Sequence, residues 1–257
     1  MIDELSTLIE EQWVTYRRTD SYDQGALAFT KFCQRAVQPH TKVLYFVSYK
    51  RAPLCILKTV RAPEYNEHLK REATHQARAP KTNVLSAPTV FWVGEVRGRV
   101  VYAEEYIDAL PVTVDDYRAL MPEIAVFSNA LPQYGTMQSD EYADRIAPYL
   151  PKDPVLERHL TTLRERKASL TLGLTHGDMG RQNILGTRQR AWVVDWERSG
   201  DVPVHGFDGM DVLLKLNKHA VPDDTLLFAV RNIHVALYRR FPDEYRRLAE
   251  MGRSMVA

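Results

Sequence analysis

Between Leu174 and Gly200 the chain reads LTHGDMGRQNILGTRQRAWVVDWERSG. This stretch sets His176, Gly177 and Asp178 in a loop, Asn183 five residues after Asp178, and Asp195 at the end of a Trp-Val-Val strand. An aspartate, a nearby asparagine and a second aspartate across a hairpin can converge on one point, an arrangement that phosphoryl transfer can use. One carboxylate would accept the proton of a substrate hydroxyl. The asparagine oxygen and the other carboxylate would hold Mg²⁺ against nucleotide phosphates. Magnesium takes oxygen ligands and only one or two carboxylates, a demand that Asn183 and Asp195 satisfy. Asp, Asn and Gly are also ordinary turn residues, and any one of them alone says little. The spacing, ahead of an apolar strand ending in Asp195-Trp196-Glu197, is what points to chemistry.

Such residues need a scaffold, and the hydrophobic pattern supplies one. Apolar residues at Leu5, Leu8, Ile9, Trp13 and Val14 predict an amphipathic helix over Ile2–Arg17. Lys42–Ser48 and Pro53–Val60 are β-rich runs separated by the polar Tyr49–Ala52, which reads as a hairpin. Glu64–Ala79 is charged and helical, with Pro80 to end it. Strands follow at Thr89–Glu95 and Arg99–Ile107, joined across Val96-Arg97-Gly98. Helices are then expected over Val114–Leu131, Asp140–Tyr149 and Val155–Leu170. After the small hairpin of Asn183–Leu185 and Ala191–Asp195 come helices at Asp208–His219, Asp223–Phe241 and Asp243–Met251. The pattern is α+β, with a sheet-rich residues 1–107 ahead of a helix-rich 108–257.

Composition agrees with an ordinary soluble protein. The 257 residues are 45% hydrophobic and 26% charged, which excludes disordered and fibrous classes. A net charge of +1 provides no global field for nucleic acid or an anionic membrane. Met1–Glu11 carries four acidic and no basic residues, unlike a secretory signal. No apolar run approaches the ~18 residues of a membrane span. Cys33 and Cys55 offer no disulfide framework and read as small hydrophobes, so a cytoplasmic setting is expected. His159, His219 and His234 lack metal-ligand partners at zinc spacing and read as structural.

The segment resembles the aminoglycoside phosphotransferase/choline kinase family, the small-molecule branch of the protein-kinase-like fold. His176-Gly177-Asp178-Met179-Gly180-Arg181-Gln182-Asn183 fits the family's H-G-D-x-x-x-x-N motif, and Asp195-Trp196-Glu197 fits its D-W-E triplet. The resemblance implies a two-lobed protein-kinase-like fold, with an antiparallel-sheet N-lobe over 1–107 and a mostly helical C-lobe over 108–257. It implies that Asp178 is the catalytic base and that Asn183 and Asp195 bind Mg²⁺. It also implies that Lys58, in the strand-like Leu54–Val60, grips the phosphates of ATP or GTP. A helical glutamate would steady that lysine; Glu72 is preferred and Glu67 is the runner-up. The strand Tyr102–Ile107 would run into the hinge, where backbone groups of Glu105–Ile107 would read the base edge. Either Asp208 or Asp211 would support the catalytic loop from a helix start.

Two features depart from the family pattern. The loop expected to cover the phosphates, Ala36–Lys42, has no glycine, so Thr41 and Lys42 would have to supply a hydroxyl and a charge. Arg181, inside the catalytic loop, could stabilise charge on the transferred group or be a surface residue; Arg198 invites the same question. The expected partner is a small-molecule hydroxyl acceptor such as an aminoglycoside, sugar, choline-like compound or amino alcohol. The mixed charges of the C-terminal part do not choose among them. A pseudokinase acting as a nucleotide-sensing or partner-binding module is the alternative reading.

Overall fold

The computed structural model describes residues 1–33, 42–217 and 222–256; Thr41 and His219 lie outside them, as does the side chain of Cys33. The chain divides into two compact units, the first made of 1–77 and 87–109, the second of 78–86 and 110–257.

The first unit begins with α1 (Ile2–Glu11), which stops well short of the expected Arg17. Trp13–Tyr16 forms a 3₁₀ turn closed by Arg17 in a left-handed conformation. Then come β1 (Leu27–Cys33), β2 (Lys42–Tyr49), β3 (Ala52–Val60) and α2 (Asn66–Ala77). Residues 78–86 belong to the second unit and carry β4 (Leu85–Ser86). The chain returns with β5 (Val90–Val96) and β6 (Arg99–Glu104). The five long strands form one antiparallel sheet in the order β1-β2-β3-β6-β5. Strand alternation gives this sheet two faces. On one, Val43, Tyr45, Val47, Tyr49 and Leu57 share a core with Leu5, Ile9 and Trp13. On the other, Val60, Val100 and Tyr102 pack with Leu69 and Ala73 of α2. The turn between β2 and β3 holds Lys50 and Arg51 at φ 49° and 67°, a conformation suited to a two-residue hairpin but strained for side chains other than glycine. Lys50 is tied down by its N–H to the Ala26 carbonyl and its ammonium to Asp20.

The second unit is mostly helical. It contains α3 (Val114–Ala119), α4 (Met121–Asn129), β7 (Gln133–Gln138), α5 (Ser139–Ile146) and α6 (Pro154–Arg166). Next are β8 (Ser169–Gly173), β9 (Ile184–Thr187), β10 (Arg190–Val193), α7 (Phe207–Leu216), α8 (Thr225–Arg240) and α9 (Pro242–Ser254). The one helix expected over 114–131 is two, because Pro122 opens α4 and has no N–H to continue a helical ladder. The helix expected to reach Leu170 stops at Arg166; Lys167 turns left-handed and the chain enters β8, which pairs with β7. The unit's core is built from Tyr142, Ile146, Leu160, Leu163, Val230, Ile233, Leu237 and Leu248. β4, β10 and β9 form a small sheet whose β9–β10 hairpin lies between Asn183 and Asp195 in the chain. No helix among the described residues is long and apolar enough to cross a membrane.

Candidate active site

In the second unit, β8 delivers the chain into a loop held by backbone bonds. Gly177 has φ +82°, and a Cβ on it would stand 2.5 Å from the Arg198 carbonyl oxygen, so this turn requires glycine. The N–H groups of His176 and Gly177 donate to the two oxygens of Asp208 at 2.7 and 2.9 Å. Burial pushes the Asp208 carboxyl above its usual range, against the opposing pull of His176 and those N–H bonds. Asp208 is therefore the aspartate at the start of α7 that meets the loop. Asp211 instead pairs with Lys215 and Arg231.

His176 acts as a strut. Its Nδ1 accepts the Asp178 N–H at 3.2 Å, which places the proton on Nε2 to donate to the Val194 carbonyl at 3.0 Å. The ring is fully buried against Trp196, and desolvation first of all lowers its pKa, so it stays neutral in that role. Val194 is held from its other side too, because its N–H donates to the Asn183 carbonyl at 2.9 Å. Asn183 Nδ2 in turn donates to the Asp178 carbonyl at 2.9 Å. These bonds set Asp178, Asn183 and the residue before Asp195 in one frame. Tyr117 and Ser128, from α3 and α4, anchor the loop further through Met179.

The Asp178 side chain is 27% exposed. Asp195 is exposed and left-handed at φ 63°, a conformation uncommon for a residue with a side chain. Trp196 closes the turn that contains Asp195 by donating from Nε1 to the Val193 carbonyl at 2.9 Å. The Asn183 amide spends its nitrogen on Asp178, which leaves Oδ1 as a hard oxygen donor, and the Asp195 carboxylate is exposed. One amide oxygen and one carboxylate suit Mg²⁺, which completes its shell with phosphate and water. Among the described residues no cluster of three or more His, Cys, Asp or Glu side chains could cage a metal by itself. Arg181 NH1 donates to the Val112 carbonyl at 2.9 Å, a bracing contact. Arg198 lies over the Tyr238 ring, with its guanidinium carbon 4.1 Å from the centroid, and donates to the Tyr245 hydroxyl at 2.7 Å.

In the first unit, Lys58 sits on the sheet face covered by α2. Its ammonium lies 3.1 Å from Glu72 Oε1 and 2.9 Å from Glu104 Oε1. Glu67, the other helix glutamate, is exposed and pairs with Lys70. Glu72 also takes Lys42 on both oxygens, at 3.1 and 3.0 Å, and the Tyr102 hydroxyl at 2.9 Å. Gln76 donates to Glu104 Oε2 at 2.7 Å. The sequence alone suggests Lys42 as a charge for the phosphate-covering loop. It is instead buried on Glu72, because it points to the same sheet face as Lys58, two pairs along the β2–β3 ladder. Glu104 and Tyr102 carried no signal beyond their place in a strand. Thr41 lies outside the described residues. The Glu105 N–H donates to the Thr89 carbonyl at 2.8 Å, so only its carbonyl is left to meet a base edge. Ile107 lies beyond the end of β6, past any ladder partner.

No protein-family model matches the sequence, and no curated protein matches it. Solved structures do match. A thermostable mutant of aminoglycoside phosphotransferase APH(4)-Ia, in apo form, aligns with a TM-score of 0.57 at 11% identity over 96% of both chains. Macrolide 2′-phosphotransferase MphH from Brachybacterium faecium aligns with a TM-score of 0.52 at 18% identity, over 97% of this chain and 88% of that one. Aminoglycoside 2′-phosphotransferase IIIa, solved with GDP, gives 0.53 at 11% identity over 98% and 96%. At these identities the likeness is one of fold.

Proposed function

We propose that this chain, which has the protein-kinase-like α+β fold of those phosphotransferases, transfers the γ-phosphate of ATP or GTP to a hydroxyl of a small molecule. The observation that carries the reading is the frame in which His176 and Asn183 tie Asp178 to the strand end at Asp195. In this reading the second unit supplies the catalytic loop and the acceptor-binding helices, and the first unit holds the nucleotide. Asp178 accepts the acceptor's proton as its oxygen attacks the γ-phosphorus and the bond to the nucleoside diphosphate breaks. Asn183 and Asp195 would hold Mg²⁺, which neutralises charge on the phosphates when bound. Lys58, steadied by Glu72, meets the nucleotide phosphates. Catalysis of this kind is mostly positioning and electrostatics, which suits a loop so heavily fixed by backbone bonds.

The test is release of ADP from Mg·ATP by the pure protein, with neutral, cationic and anionic hydroxyl compounds and with water alone. The expected result is turnover that rises with one acceptor class and disappears in Asp178→Asn. A wild-type rate no higher than that of Asp178→Asn under every condition contradicts the reading.

A further inference from the structure

The frame around Asp178 holds backbone groups, and fixing the backbone does not by itself fix a carboxylate that turns about two side-chain bonds. A cation from elsewhere in the same unit meets that carboxylate. Lys215, near the end of α7, donates from Nζ to Asp178 Oδ1 at 3.2 Å. The same ammonium is seated on Asp211 Oδ2 at 2.7 Å, one helical turn earlier. Arg231 Nε, on α8, holds the remaining oxygen of Asp211 at 3.1 Å. Asp211 is buried, so the seat itself is rigid. Arg198 NH1 stays 3.9 Å from Asp178 Oδ2, beyond hydrogen-bond reach. Asp178 Oδ2 therefore accepts no hydrogen bond among the described residues, while Oδ1 is pinned.

The geometry points to Lys215 as a positioning residue for phosphoryl transfer, held by Asp211 and Arg231 so that Asp178 presents Oδ2 to the acceptor hydroxyl. This role rests on the reading of Asp178 as the base. The exchange balances: the acceptor O–P bond forms as the bond to the diphosphate breaks, and the hydroxyl proton passes to Oδ2. Asp178 then loses its charge, but Lys215 keeps its own counter-charge in Asp211 and needs no new partner. A half-exposed ion pair adds little to stability. Its effect here is on direction, and small misplacements of a reacting group are costly. Arg181, the cation within the catalytic loop, is spent on the Val112 carbonyl and does not compete for this task.

Lys215→Met and Lys215→Arg in the full chain test the role, with water as the acceptor. Four quantities are read: kcat and KM for Mg·ATP hydrolysis, the rise in unfolding midpoint with Mg·ATP, and the midpoint without nucleotide. Lys215→Met is expected to lower kcat by roughly 100-fold while KM and the nucleotide-induced rise stay within about twofold of wild type. Lys215→Arg should recover most of that loss, since a guanidinium can span both aspartates. Asp211 keeps Arg231 in either variant, so the midpoint without nucleotide should hold. An unchanged kcat in Lys215→Met overturns the role, as does an arginine variant no better than methionine. A loss confined to KM and the nucleotide-induced rise makes Lys215 a nucleotide ligand, and a collapsed midpoint makes it structural; either result also overturns the role. A wild type that neither hydrolyses Mg·ATP nor gains stability from it overturns the function itself, which is a distinguishable failure.

Discussion

Around Lys58, two lysines and two glutamates from three strands and a helix meet in a cluster whose side chains are each no more than 10% exposed. Around Asp178, backbone amides, a neutral histidine and a buried aspartate hold the loop, while the Asp178 carboxylate stays 27% exposed and Asp195 faces solvent. The first arrangement neutralises its charges internally, as buried ions must if the unit is to fold without a ligand. The second keeps its charges wet and spends its burial on uncharged struts. The contrast implies that losing one member of the first cluster costs stability, whereas losing an exposed carboxylate of the second costs activity alone.

The largest effect should come from the wet side. Asp178→Asn and Asp195→Asn are each expected to lower turnover of Mg·ATP by about 10²–10⁴-fold or more, with little change in the unfolding midpoint. A large midpoint change in either would erase the distinction. On the dry side, Lys58→Met leaves Glu104 without its ammonium and should cost roughly 3–5 kcal/mol in urea unfolding. Lys42→Met should cost less, because Glu72 retains Lys58 and the Tyr102 hydroxyl. Equal losses would mean that the cluster does not act as described. Gly177→Ala falls between the two behaviours. Its Cβ would meet the Arg198 carbonyl at 2.5 Å, so a cost of about 1–3 kcal/mol is expected together with a drop in kcat.

The smallest effect is one of pH. His234 is fully buried beside the Tyr142 hydroxyl, 2.9 Å away, and desolvation, with Arg198 adding to it, lowers its pKa to about 3. A histidine depressed on folding contributes stability that is fully present above its unfolded pKa near 6.5 and is lost as pH falls toward the folded value. The slope from this group should be at most about 1.4 kcal/mol per pH unit below pH 6.5. His234→Phe should flatten the midpoint-versus-pH curve in that range without changing Mg·ATP turnover at neutral pH. His176 shifts in the same direction, so the curve flattens but does not become level.

How much of this was legible beforehand follows from distance along the chain. Asp178, Asn183 and Asp195 lie within Leu174–Gly200, on one loop and one hairpin, so their spacing alone is enough to single them out. The Lys58 cluster draws on positions 42, 58, 72, 102 and 104, which only the sheet register assembles. Lys42 shows the difference: its neighbours in sequence suggested a phosphate loop, and its neighbours across the ladder gave it to Glu72. Asp208 and Asp211 both suit a helix start, and only the loop amides separate them. Lys215 left one faint trace, its four-residue spacing from Asp211 on a helix face. β7 was missed because nearly all of its residues are exposed and show no hydrophobic alternation. β8 was absorbed into the helix before it, since the polar run up to Arg166 gave no warning of the left-handed Lys167.

The central claim is that Asn183 and Asp195 serve a metal-bound nucleotide beside the Asp178 loop. Thermal unfolding of the wild type and Asp195→Asn, each with ATP and GTP in the presence and absence of Mg²⁺, tests it most directly. A ligand that binds only the native state raises the midpoint as its concentration passes the dissociation constant. The account predicts a magnesium-dependent rise in the wild type that disappears in Asp195→Asn. No rise at millimolar nucleotide, or the same rise in both proteins, would contradict it.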